Sequence, residues 1–276
     1  MKKFISIITG MLVGVATVFG QGNDKKNVCI DEFSHNSSIG TNWVANLRNN
    51  VVQGIMQTGR LNVIDIKNLS DLSDTSEKRL TQLRESNVDV LIKGQYNALN
   101  CNSKTNKEGK THYETLSDFT LTLVDTENGA VIGTQNFKNN SYSGETATES
   151  ITKALEEAIG DMKKFVDNNF KMEATIKALD QVDPKKGAKT VYVTVGSDAG
   201  IQPGQMFDVF QEVEIAGEKG TKQIGTAKAK EVVSGGLTLC TVSKGGIEIK
   251  TAFDNNVKLI VISRAVKDPL GGFLKL

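Results

Sequence analysis

The sequence predicts an α/β (α+β) domain built on a mixed sheet, followed by a small all-β sandwich or barrel. Three observations lead there. Residues 27–66 read as a strand-helix-strand unit, residues 118–137 read as two strands joined at an Asn-Gly turn, and the periodicity changes from helical to strand after residue 169.

In chain order, Lys2 and Lys3 precede an apolar run over 4–18, and the polar run 21–26 follows it, so 1–20 are expected to be a secretory signal peptide. Val28, Cys29, Ile30 and Phe33 then form a short buried-type strand. Over 42–58, Val44, Leu47, Val51, Val52, Ile55 and Met56 recur every three or four positions and mark one face of a helix. Thr41 is the expected cap, and Gly59 supplies the left-handed residue that ends the helix. A β-rich run at 61–66 follows, and a helical crossover implies that the two strands lie parallel. Asp74 and Glu77 have capping-box spacing ahead of a short helix carrying Leu80 and Leu83. A strand at 88–96 is expected to lead into an exposed connection at 97–115, which is polar and carries Lys104, Lys107 and Lys110. The hairpin with its turn at 127–129 comes next, then a helix over 146–166 with Thr146 and Glu149 at capping-box spacing. Asp167-Asn168-Asn169 marks the expected boundary, so the domains read as 21–168, 169–266 and a tail at 267–276, in which 270–276 read as an ordinary chain end in preference to a docking peptide. Past it, strands are expected at 172–178, 190–195, 206–210, 223–232, 237–242 and 257–262, with no helical pattern.

Composition excludes several classes. With 38% hydrophobic and 24% charged residues the chain can bury one or two cores, and a formal charge of +1 gives no reason to expect nucleic acid. No later stretch is apolar enough to span a bilayer as a helix. No cysteine stands at the expected cleavage point, so lipid anchoring is not expected and the periplasm is the expected compartment. Three cysteines make no disulfide framework; Cys29 and Cys101 could pair if their strands are neighbours, and otherwise all three are small buried hydrophobes.

The runs at 28–33, Gly59 to Asp65, Asn87 to Gly94 and Leu121 to Val131 resemble the successive blocks of the curli secretion component CsgG family. That family shares its α/β domain with the outer-membrane activators of penicillin-binding proteins and with the N-terminal domain of TolB. The resemblance covers 27 to about 168 and implies an outer membrane-associated role in curli assembly or envelope assembly without catalysis. Family members that form a secretion channel contribute two membrane hairpins per subunit. Residues 97–115 lack the alternation of a membrane strand and 137–146 leave no room for a second hairpin, so the pore is not carried over. The phrase from Val191 through Gly200 to Val209 is similar to the C-terminal β-domain of the flagellar protein FlgT.

The chemical inventory is thin. His35 and His112 are expected in different connections, without ligands at metal spacing, no glycine loop of phosphate-binding type follows a strand, and no serine sits in a nucleophile elbow, so no catalytic residue, metal or cofactor is expected. Asp31 and Asp65 fall at the ends of parallel strands, where α/β sheets place ligands, and form the candidate crevice. Lys104, Lys107 and Lys110 form the candidate interaction surface. The basic run 185–189 reads as a wet loop, and Trp43 as core or helix-end packing. Two functions follow: a non-enzymatic periplasmic accessory protein that contacts an envelope protein or copies of itself, or a ligand-binding protein for a glycan or cell-wall peptide. Few aromatics (6%) count against a sugar site.

Overall fold

A computed structural model describes residues 25–69, 72–73, 76–215 and 217–264. The expected signal peptide, the cap at Asp74 and the tail at 267–276 lie outside the described residues. The strand-helix-strand unit is present: β1 (Lys26–Ile30), α1 (Thr41–Gln57) and β3 (Leu61–Asp65), with β2 a two-residue strand (Ser34–His35) between β1 and α1. β1 lies parallel to β3 on one side and to β4 (Val90–Thr105) on the other. α1 starts at its expected cap, one residue early: Gly40 occupies the extended N-cap position and Thr41 is already helical, so the first turn has no side-chain cap. Its end is as expected, with Gly59 at φ 63.

Alternation along β1 divides two cores. Val28 and Ile30 face α1 and α3 (Ala147–Asn169), where Leu47, Val51, Ile55, Leu155, Met162 and Phe165 are buried. Cys29 faces the other side, with Leu83 of α2 (Ser76–Glu85), Leu91 and Val124. The sheet thus lies between two helical layers. Met56, expected on the inner stripe of α1, is 60% exposed. Where α1 crosses α3, a Cβ on Gly54 would stand 2.6 Å from the carbonyl oxygen of Ile159 and 2.8 Å from Met162, so only glycine allows the approach.

Residues 97–115 are not a connection. β4 continues to Thr105 and pairs antiparallel with β5 (Thr111–Asp125), leaving 106–110 as the turn, and β6 (Val131–Gly144) completes the sheet order β3-β1-β4-β5-β6. Three long strands therefore overrun two five-residue ones and form an arm. The register shifts between Tyr96 and Ala98, and the extra residue Asn97 reverses the parity of the strand. Before the bulge Val90, Ile92 and Tyr96 point inward; after it Leu99 and Cys101 do, against the α3 side. Asn100, Asn102, Ser103 and Lys104 are exposed.

α3 begins at the capping box: Thr146 accepts a hydrogen bond from the Glu149 amide at 3.2 Å, and Glu149 accepts one from the Glu145 amide at 2.9 Å.

Beyond α3, six antiparallel strands close into a barrel, which decides between the two expected architectures. They are β7 (Glu173–Asp183), β8 (Gly187–Val193), β9 (Met206–Ile215), β10 (Glu218–Ser234), β11 (Leu237–Lys244) and β12 (Leu259–Arg264), in the order β10-β11-β8-β7-β12-β9. The unit is not all-β. A helix, α4 (Gly246–Asp254), contributes Ile249 and Ala252 to the barrel core. The run Ile247-Glu248-Ile249-Lys250-Thr251 alternates like a strand, whereas the buried pair is spaced i, i+3.

The sheet unit and the barrel meet at an ion pair. Arg60, just after Gly59, bonds through Nη1 to the Asp167 carboxylate and through Nη2 to the Phe170 carbonyl, and both side chains of the pair are about 95% buried. Burial pushes the Arg60 guanidinium below its usual range, and Asp167 opposes that shift. On the barrel side Gly200, at φ 73, lies so close that a Cβ would stand 2.6 Å from the carbonyl oxygen of Gly59.

Candidate functional site

The C-terminal ends of β1 and β3 open into a crevice of about 680 Å³. Its wall is α1, because Asn49, Val52, Gln53, Met56 and Gln57 occupy the rim side of that helix, and its floor is Ile30, Val63, Ile64 and Asp65. Asp65 is where the strand-end argument places it. Its carboxylate accepts from the Lys67 amide at 3.0 Å and caps the short 3-10 turn Ile66–Asn68. Asp31 does not line the crevice. Its carboxylate pairs with Arg79 of α2, across the sheet, and accepts from the Glu32 amide at 2.8 Å.

The partner of Asp65 is Arg48, which sequence reasoning passed over. Arg48 Nη2 donates to the Ile30 carbonyl at 2.8 Å and Nε to the Asp31 carbonyl at 3.1 Å, and Nη2 lies 3.6 Å from the Asp65 carboxylate. The guanidinium thus satisfies the last carbonyls of β1 while its charge faces Asp65. A signal was present: Arg48 stands four residues after Val44 on the inner stripe of α1, a place where an unpaired charge is not tolerated. The crevice therefore offers one neutralised ion pair, four amide side chains (Asn49, Gln53, Gln57, Asn68) and, between them, the apolar side chains of Val52, Met56 and Val63. Its lining presents amide donors and acceptors, and among the lining residues no nucleophile has a base beside it.

The lysines of the candidate interaction surface lie at the arm tip. Lys104 is on β4 and pairs with Glu114 of β5, and Lys107 and Lys110 are exposed in the turn. The hydrogen bond from Lys104, with the nearby charges of Lys104 and His112, outweighs desolvation and holds the Glu114 carboxyl below its usual value. His112 is in β5 and His35 in β2, so both histidines lie on strands. Asp118, at the root of the arm, accepts from Asn97 and Asn136 at 2.8 Å each and lies 3.5 Å from Lys138. Burial alone would raise its carboxyl; those contacts outweigh it and the net shift is downward.

Cys29 and Cys101 do not pair. Both are free thiols on opposite faces of the sheet, and since Cys29 is level with Leu91 on β4, Cys101 lies about 30 Å further along. Burial first, and Asp31 second, push the Cys29 thiol up to about 12. Among the described residues no group of acidic, histidine and cysteine side chains could hold a metal, and no helix is long and apolar enough to cross a membrane.

No protein-family model matches the chain, and no curated protein does. Solved structures resemble about half of it. The PelC dodecamer from Paraburkholderia phytofirmans aligns at 15% identity over 52% of this chain and 90% of that one, with a TM-score of 0.36. The putative neuraminyllactose-binding hemagglutinin homolog from Helicobacter pylori aligns at 10% identity over 55% and 92%, TM-score 0.36. The LpoB C-terminal domain from Salmonella enterica aligns at 13% identity over 42% and 82%, TM-score 0.29. Similarity at this level identifies no family.

Proposed function

We propose that this chain is a non-enzymatic accessory or assembly protein of the cell envelope, exported to the periplasm, that works by adding strands of a partner, or of a second copy, to its sheet. One observation carries this reading. β4 pairs with β1 at 90–92 and with β2 at 95–96, and among the described residues no strand pairs with 97–105 on that side. An unpaired row of amides and carbonyls is a template for strand addition, and Lys104 at its end is a charge of the kind that keeps such edges from indiscriminate pairing. The CsgG-like wording of 27–168 supports the compartment and the assembly role. The non-enzymatic part rests on the crevice, whose two ionised groups are matched to each other and to backbone.

The test is absolute mass by light scattering on a sizing column, with and without detergent, followed by crosslinking in the envelope. A Ser103→Pro variant removes one edge amide and K104E/K107E/K110E reverses the tip. Loss of the crosslinked species in both variants, with unchanged circular dichroism, is the expected result. Full retention in both would remove the edge from consideration.

The second reading, a glycan or cell-wall peptide bound in the crevice, is favoured by its amide-rich wall. Calorimetry with soluble cell-wall fragments separates the two: saturable heat that disappears in Gln53→Ala supports it, and no heat removes it.

A further inference from the structure

A second concavity, on the barrel, is lined by five exposed lysines that the chain brings together from three separate stretches. Lys185, Lys186 and Lys189 come from the β7–β8 turn and β8, Lys230 from β10 and Lys244 from the end of β11. The groove holds about 710 Å³. Two local features build it. Lys230 is the extra residue of a register shift between Ala229 and Glu231, and a bulge of this kind re-aims a side chain that regular pleating would place elsewhere. The β7–β8 turn is clamped to the start of α4 by glycines in contact. A Cβ on Gly246 would strike the carbonyl oxygens of Lys186 and Ala188, and one on Gly187 would strike Gly246. Substitution at either glycine would separate the 185–189 lysines from Lys244.

The charge is local. Glu248 is the one acidic residue lining the groove, against five lysines, while the whole chain has a formal charge of +1. Lys189 is held by Asp183 at 3.2 Å. Charges spaced within a Debye length of about 8 Å act together on an approaching anion.

The kind of anion follows from the lysines. Bidentate recognition of one phosphate or carboxylate needs the forked guanidinium of arginine, whereas lysine acts as a point charge. No arginine lines this groove, all five lysines are exposed and, among the described residues, only Lys189 shares its charge with a carboxylate, so the groove responds to a field and not to the shape of one ion. It also carries an aliphatic side chain outward: Ile247, which lines it, is 56% exposed, and Val182, next to the lining residue Gln181, is 44% exposed. Lysines around outward aliphatic side chains match a surface whose charged headgroups overlie hydrocarbon.

We propose that this basic groove docks the barrel onto an anionic lipid surface, with the lysines against the headgroups and Ile247 entering the interface. Each lysine near such a surface multiplies binding about five-fold, so loss of three lowers it on the order of a hundred-fold.

The experiment is vesicle sedimentation of the full chain, with phosphatidylcholine vesicles and with vesicles containing about one third phosphatidylglycerol, the readout being the difference between the two. Wild type is expected to partition to the anionic vesicles, and K186Q/K230Q/K244Q to lose about a hundred-fold with an unchanged melting temperature. Ile247→Ser is expected to lower binding several-fold at constant salt dependence. Equal partition of wild type to both vesicle types overturns the proposal, as does an undiminished difference in the triple variant. Displacement by millimolar inorganic phosphate at constant ionic strength would show a discrete phosphate site and overturn it. So would binding of polyglutamate without vesicle binding, which would make the partner an acidic protein.

Discussion

Replacing Asp167 by alanine removes the carboxylate and leaves the Arg60 guanidinium buried at the junction of sheet and barrel. Arg60 is 7% exposed and Asp167 4%. Arg60 Nε is buried without a partner, so the group has no reserve of solvation. Breaking a buried pair by removing one member costs about 3–5 kcal/mol, because a charge is stranded. The surviving bond from Nη2 to the Phe170 carbonyl moderates the loss. Lys171 acts the other way: burial first, and the Arg60 charge second, push its ammonium below its usual value, and of the two carboxylates that oppose this, Asp167 and Asp208, the variant removes the first. We therefore expect about 4 kcal/mol, which at a urea m-value of about 2–3 kcal/mol/M moves the unfolding midpoint down by about 1–2 M. Urea titration followed by far-ultraviolet circular dichroism measures it. R60M/D167L removes both charges at similar volume and is expected to stay within about 1 kcal/mol of wild type. A midpoint shift in Asp167→Ala below about 0.3 M, or a double variant as unstable as the single, would refute the reasoning.

Three further outcomes are expected. Gly94→Ala places a methyl group on the Phe33 ring, which is 5% exposed, and should destabilise the protein by about 1–3 kcal/mol in the same titration. With a thiol-reactive dye Cys101 should be modified in the native protein, whereas Cys29 and Cys240, whose thiols burial pushes up to about 12, should react only on unfolding. Asp118 has a folded-state value below its ordinary 3.8, so its contribution is complete above pH 3.8 and is lost as pH falls through the folded value. Asp118→Asn should flatten acid unfolding below about pH 4, measured as midpoint against pH.

The parts of the fold legible in the sequence are those where one periodicity holds. β1 carries a continuous apolar run, the bodies of α1 and α3 bury a mainly apolar stripe, and the Asn-Gly turn and the α3 capping box are local chemistry that needs no tertiary context. The arm was hidden for two reasons. The Asn97 bulge switches parity in the middle of β4, and the fully buried positions of β5 on the distal half are Thr115 and Ser117 in place of aliphatics. α4 was hidden because isoleucines two apart imitate a strand. At the crevice, strand-end position found Asp65, but which face a strand-end carboxylate turns to is set by the helix packed there, so Asp31 went to Arg79 and Asp65 to Arg48. The lysine groove was legible only as its 185–189 portion, since Lys230 and Lys244 arrive through barrel closure.

The buried polar contacts along the arm bear on how the molecule opens. Toward the tip the arm is fastened to itself and to α3 by hydroxyls: Thr115 to Ser150 at 2.8 Å and Ser117 to the Tyr96 hydroxyl at 3.1 Å, with the Asn139 amide nitrogen buried and without a partner. A fastening made of directional bonds is lost all at once when its geometry slips, and it returns little hydrophobic free energy when it closes again. The distal arm should therefore behave as its own foldon, with the amides that bond across β4 and β5 within 101–105 and 111–115 exchanging with solvent hydrogen through a sub-global opening while those of Val90 to Ile92 wait for global unfolding.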